Sequence, residues 1–296
     1  MIKRVDTDIS TFEHGSRKII NIFVEGSSVN SIDKPIINAI FKENKDRTDC
    51  KMVGFCTNVL AASELLYKEN PNNYFIIDRD HNDDTAVERS WTLQRKNNLI
   101  IWKRRHLENY FLDAQLLAKS KYLKKSVKPV ALEKQILLLA NQNLYMDISN
   151  LVILKIREEI KEKWIEKFTD SRKFDNESNS LEELLKRSEF VSFQSKVTNK
   201  LSEENIKNTF LNYKNKFTDG LSSIKIGRGR WIDLVEGKVI LNQIINNNFV
   251  IKKTDGSYAR GDELKLKVLE DLTLNTNITE LPGDFQLLKD IILQNK

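Results

Sequence analysis

Three carboxylates, Glu25, Asp78 and Asp80, stand where chemistry is most easily built. Each follows a short apolar run. IINIFVEG puts Glu25 before a glycine, and YFIIDRD puts Asp78 and Asp80 two residues apart. In an extended strand, positions i and i+2 face the same side, so the two aspartates can converge on one point. Side by side they repel, which raises one pKa or calls for a cation between them. Oxygen donors of this kind suit Mg²⁺ or Mn²⁺ rather than zinc. Glu25 can bind such an ion, or carry a proton to or from a nucleophile or leaving oxygen. The plainer reading of an isolated Asp-x-Asp is a solvated acidic loop, and of a Glu-Gly pair a strand-end turn. Their order in one β–α–β–α–β run favours chemistry. Asp83 and Asp84 read as turn residues or as the cap of a helix beginning at Thr85.

A second candidate is KRRHLENYFLD, residues 103–113. Three consecutive cations after a strand can hold phosphate or stabilise charge on a phosphoryl group. Lys103 and Arg105 share a face if the strand runs that far. Glu108 suits either a helix start, where the macrodipole favours a carboxylate, or a catalytic role. Tyr110 and Phe111 read as packing residues, and His14, His81 and His106 as incidental. Residues 224–231, IKIGRGRW, frame two arginines with glycines; a tight turn between strands is the expected structure, with a nucleic-acid backbone or a protein as possible contacts.

The elements that must position these residues alternate. Strands are expected at Ile19–Val24, Lys51–Cys56, Tyr74–Ile77 and Leu99–Trp102, with intervening helices from Asp33 (an N-cap followed by Pro35), from Asn58 and from Thr85. Such alternation favours a parallel sheet flanked by helices, and in such sheets catalytic groups gather at the carboxyl ends of the strands. All three acids fall there. From Glu108 the pattern turns helical: Glu108–Lys119, Pro129–Leu144, Ile148–Phe168, Leu181–Lys196, Glu203–Lys216, a segment Trp231–Asn247 that is helical from Lys238, and Asp284–Gln294. Thr169–Ser180 reads as a polar loop. The expected architecture is therefore α/β, with a catalytic domain over residues 1–115 and a mainly helical region over 116–296 for dimerisation and partner docking.

Composition narrows the class. The chain has 296 residues, a formal charge of +6 and a pI near 9.0, too modest a bias to identify a nucleic-acid binder alone. Cys50 and Cys56 are too few for a disulfide framework and read as small core residues. No apolar run is long enough to span a bilayer, and MIKRVDTDIS lacks a signal-peptide core, so a cytoplasmic protein is expected. There is no G-x-x-x-x-G-K-[ST] and no strand-borne G-x-G-x-x-G.

The order IFVEG, YFIIDRD, KRRHLENYF resembles a TOPRIM domain, in the variant carried by OLD-type nucleases and their stand-alone relatives. That family has a Glu after the first strand and an Asp-x-Asp after the third, holding Mg²⁺ for phosphodiester chemistry; here these are Glu25, Asp78 and Asp80. Glu108-Asn109-Tyr110 matches the relatives' ENY, and WIDLVEGKVIL is similar to their Trp-containing, Gly-Lys segment. Where the family has an Asp soon after the glycine, this chain has SSVNSID, and Asp33 falls in that place. Size and layout are most like the AriB-type effectors of the PARIS anti-phage systems. The resemblance implies a toxin-like, Mg²⁺- or Mn²⁺-dependent endonuclease, with tRNA as target, a homodimer as active form, and an ABC-type, AriA-like ATPase as controlling partner. Glu25 then serves as general acid/base and ligand, Asp78 and Asp80 as metal ligands, and Lys103 and Arg105 as phosphate clamps. A DNA endonuclease of OLD type, or an inactive TOPRIM subunit that only docks on the ATPase, are the alternatives.

Overall fold

The computed structural model describes residues 19–26, 31–80, 82–93, 97–160 and 188–294. Four strands, β1 (Ile20–Val24), β2 (Thr48–Met52), β3 (Asn73–Ile77) and β4 (Leu99–Ile101), form one all-parallel sheet in the order β2-β1-β3-β4. The central strands β1 and β3 are buried along their whole length, as their unbroken apolar sequences require. Phe23 and Phe75, paired across them, stack with centroids 5.0 Å apart. Helices α1 (Asp33–Ile40), α2 (Cys56–Glu69) and α3 (Asp84–Trp91) make the crossovers. Asp83 caps α3, its side chain accepting from Ala86 N–H.

Two expectations shift. Strand β2 covers Thr48–Met52 rather than 51–56, because pairing with β1 from Ile20↔Thr48 to Val24↔Met52 sets its register. At the sheet edge it tolerates polar TDCK, so the apolar run marked its end and not its middle. Asp33 is the first residue of α1 and not its cap: Ile32 holds the N-cap position, without a capping side chain.

The chain divides into two units, Met1–Gln142 with Trp231–Lys296, and Asn143–Arg230. The composition change near residue 115 matches neither junction, since the C-terminal segment Trp231–Lys296 returns to the unit of the sheet. There α8 (Trp231–Leu234), α9 (Gly237–Asn248), α10 (Gly261–Asn275) and α11 (Gly283–Gln294) follow in order. α9 packs on the 3₁₀ turn Leu107–Phe111, and α10 and α11 pack on α1. α10 lies in a stretch where no element was expected. Phe285 of α11 meets Trp102, Tyr110 and Phe111 with centroids 5.2–5.9 Å apart, anchoring it beside the end of β4.

Between them come the short α4 (Ala114–Leu117) and α5 (Pro129–Ile160). α5 is one helix where two were expected, and Leu132, Ile136, Ala140, Leu144, Ile148 and Val152 give it a buried stripe with no breaker. In the second unit α6 (Ser188–Lys200) and α7 (Glu203–Thr218) follow, α7 capped by Ser202. The expected loop Thr169–Ser180 and the start of the helix expected from Leu181 lie outside the described residues. Among the described residues no helix is long and apolar enough to cross a membrane.

The Phe23–Phe75 stack sits at the centre of the sheet with both rings buried. Phe75→Ala is expected to cost about 3–5 kcal/mol in a urea titration, the range for removing a buried aromatic. A loss under about 1 kcal/mol would show that the sheet centre is not the main core.

Candidate active site

Strands β1 and β3 are parallel neighbours in register Val24↔Ile76, so Glu25 and Asp78 leave the sheet side by side. Asp78 N–H donates to Glu25 Oε1 at 2.9 Å. Asp78 is buried, and both its oxygens are engaged: Oδ1 accepts from Leu107 N–H at 3.2 Å and Oδ2 from the Lys238 ammonium at 2.9 Å. Lys238 comes from the first turn of α9, its stem half-exposed.

Asp80 reaches the same region by another route than strand alternation. β3 ends at Ile77, and Asp80 has φ 46°, a left-handed conformation that a non-glycine residue adopts only when its surroundings hold it there. Its N–H donates to Arg105 O at 3.2 Å. Buried Arg79 braces this turn, donating to Asn82 O at 3.1 Å and Lys103 O at 2.9 Å and pairing with Asp84. Asp80 Oδ1 then lies 3.8 Å from His106 Nε2, which is also 3.5 Å from Glu236 Oε1. These are not ion pairs. Burial, with Lys238 and Arg105 nearby, holds His106 neutral and lowers its pKa to about 2. His106, read from sequence as incidental, is thus buried between two carboxylates; His14 and His81 lie outside the described residues.

Two more acids share this field. Asp33, at the head of α1, accepts from Ser31 Oγ at 3.1 Å. Burial, then the charges of Glu108 and Glu25, push its pKa up to about 7. Burial likewise raises Glu25, opposed by the Asp78 N–H bond and reinforced by Asp80. Asp78 is raised well above the usual range by burial, against the pull of Lys238, with Asp33, Glu25 and Glu108 adding to it. For Lys238 burial works against the charge, but Asp78, Glu108 and Asp33 reverse this and hold it firmly cationic. Glu108 is buried, and its Oε1 accepts from the equally buried Lys265 of α10 at 3.3 Å.

The basic segment is placed differently from the sequence expectation. The strand stops at Ile101, so Lys103 and Arg105 are not related by strand alternation. Lys103 pairs with Asp284 at 2.6 Å and lies over the Trp91 ring at 4.7 Å. Buried Arg105 pairs with Glu236 at 2.8 Å, and its N–H donates to Asp233 O. Both therefore lock the framework, and Lys238 is the cation set against Asp78.

Asn109 joins the two segments of the resemblance. Its Nδ2 donates to Ile232 O at 2.7 Å and to Val235 O at 3.0 Å, while Oδ1 accepts from His106 N–H at 3.2 Å. Gly237 is required beside it: a Cβ there would stand 2.6 Å from Asn109 Cγ. This contact seats Lys238 at Asp78. The Gly-Lys pair was the sequence signal for Lys238; nothing in the local sequence marked Glu236 or Lys265.

As a donor set, Glu25, Asp78 and Asp80 offer only carboxylate oxygens; burial first, and the neighbouring carboxylates after it, raise the pKa of the first two, and a hard divalent cation would offset both. In chemistry the residues fit Mg²⁺ or Mn²⁺. In arrangement, no three or more His, Cys, Asp or Glu among the described residues are grouped to hold a metal ion, and Asp78 Oδ2 is turned to Lys238 instead. No protein-family model, curated protein or solved structure matches the chain.

The site fixes a pH dependence. Asp33 has a folded pKa of about 7 against an ordinary 3.8. Between those values the folded state holds a proton that the unfolded state has released, so this contribution is present at low pH and is lost as pH rises towards 7. Asp33→Asn should therefore gain stability over the parent from pH 5 to pH 8, reaching about 1–2 kcal/mol, less than full conversion of the shift because the side chain keeps some solvent. His106 acts oppositely, its contribution being lost as pH falls below 6.5, and cancels in this difference. A gap between the two urea midpoints that does not change with pH would contradict the assignment.

Proposed function

We propose that the chain is a Mg²⁺- or Mn²⁺-dependent endonuclease of the TOPRIM type, of the OLD-like stand-alone kind and most like the AriB effectors of PARIS anti-phage systems. The observation that carries this reading is the convergence of Glu25 and Asp78 at adjacent parallel strand ends, with Asp80, Asp33 and Glu108 in the same field, Lys238 facing Asp78 and Lys265 paired with Glu108. Carboxylates in excess over the two lysines paired with them are costly for a purely structural core, and natural for metal-assisted phosphoryl chemistry.

In this reading Glu25, Asp78 and Asp80 would hold the ion, which when bound would supply charge neutralisation at the scissile phosphate and activation of a water or ribose hydroxyl. Glu25, its pKa raised by burial, is poised to take or give a proton. Lys238 leaves Asp78 Oδ2 for the phosphate and supports charge that develops there. Lys103 and Arg105 contribute through Asp284 and Glu236, keeping the strand-end loop in place. The tRNA substrate, a homodimeric active form, cytoplasmic residence and control by an AriA-like ABC-type ATPase follow from the resemblance. OLD-type DNA cleavage is the substrate alternative.

A second reading draws on the Lys238–Asp78 pair itself: a lysine that permanently replaces the metal would leave a non-catalytic subunit that only docks on the ATPase. The two readings separate in one experiment. RNA ends are mapped from cells expressing the chain alone, its Glu25→Gln form and its Lys238→Ala form, with plasmid DNA checked for nicking. The nuclease reading expects cleavage by the parent and a loss of about 10²–10⁴-fold in Glu25→Gln, the usual worth of a general acid/base. Equal ends with and without Glu25, in protein shown folded by circular dichroism, contradict it.

A further inference from the structure

We infer that the loop between α7 and α8, residues 219–230, is a binding surface for the phosphodiester backbone of a nucleic acid. The sequence expectation of a turn between strands does not hold, since both flanking elements are helices. The loop is built to present cations. Lys225, Arg228 and Arg230 are all exposed within six residues, while Ile224 beneath them is buried.

The backbone of the loop is tightly defined. Gly229 has φ 65° and lies against the last turn of α7, where a Cβ would stand 2.7 Å from the Phe217 carbonyl carbon. Arg230 N–H donates to Lys216 O at 2.7 Å, and Arg228 N–H to Lys225 O at 3.2 Å. Gly229 is thus fixed inward, and the arginines on either side of it are carried outward on a held backbone. Such preorganisation lowers the ordering cost of binding. Arg228 does approach Asp219, at 3.5 Å, but both side chains are more than half exposed (66% and 55%), and pairs of that kind contribute little.

Two arginines and a lysine on a rigid, glycine-framed turn match phosphate better than they match a protein surface. Guanidinium groups bind phosphate oxygens in pairs, and closely spaced cations release counterions from a polyanion. A role in merely keeping the chain soluble asks for no such backbone. The choice of ligand rests on the nuclease reading, but the surface is testable without catalysis.

The experiment is fluorescence anisotropy of a labelled tRNA, and separately of a labelled duplex DNA, in EDTA, over a series of salt concentrations. The parent chain is compared with Lys225→Ala/Arg228→Ala/Arg230→Ala and with Arg228→Lys/Arg230→Lys. The expected result is a 10–100-fold weaker Kd for the alanine variant and a salt slope smaller by about 2–3, with partial recovery in the lysine variant. Circular dichroism and the melting temperature should be unchanged, since the altered side chains are exposed. Loss for both probes marks a shared phosphate contact, and loss for one alone also names the nucleic acid. Equal affinity and slope in parent and alanine variant, or no binding of either probe by the parent, overturns the inference. Failure of the nuclease reading would show instead as binding without Glu25-dependent cleavage.

Discussion

The bond between Asp78 and Lys238 is the constraint on which the rest of the site depends. A buried carboxylate at a strand end is costly on its own, and Glu25, Asp33 and Glu108 each add to the repulsion. Lys238 is the counter-charge, delivered by a helix that begins 159 residues after Asp78, so the sheet and α9 have to meet. That bond joins the packing of α9 on Leu107–Phe111 and of α10 and α11 on α1 in placing Trp231–Lys296 in the unit of the sheet.

Several contacts serve that meeting. Asn109 donates to two carbonyls of the segment leading into α9, and Gly237 lets the backbones approach. Arg105–Glu236 and Arg104–Asp233 pair the basic strand end with the same segment. On the other side Tyr110 donates to Asp284, which also accepts from Lys103, and Trp102, Tyr110 and Phe285 pack around them. Charged residues that looked like substrate contacts are thereby joints between elements far apart in sequence. Arg105, 4% exposed and paired, is an example of a cation whose first duty is architectural.

Glu25, Asp78 and the parallel sheet were legible in the sequence because they depend on local information. Unbroken apolar runs mark buried strands, and acids at their ends stay at the ends. Asp80 was legible as a neighbour of Asp78 but not in its geometry, since the left-handed turn after Ile77 is imposed by Arg79 and by the bond to Arg105 O. Asp33 looked like a helix cap because an Asp two residues before a proline usually is one; here Ile32 takes the cap position and the carboxylate turns to the site. Lys265 and Glu236 could not be found locally, because each gains its role from a partner more than 100 residues away. α10 carries that lysine; no element was expected there, although Leu264, Val268, Leu269 and Leu272 recur at helical spacing behind two first-turn acids.

In the function proposed above, this cluster would be a metal centre in which Lys238 stands against Asp78 until an ion binds. Anomalous diffraction from crystals soaked in Mn²⁺ tests it directly. The expected result is a manganese peak within bonding distance of Glu25 and Asp78, with the Lys238 ammonium drawn away from Asp78 Oδ2. A fully soaked crystal with no peak there, and with Lys238 still bonded to Asp78, would contradict it.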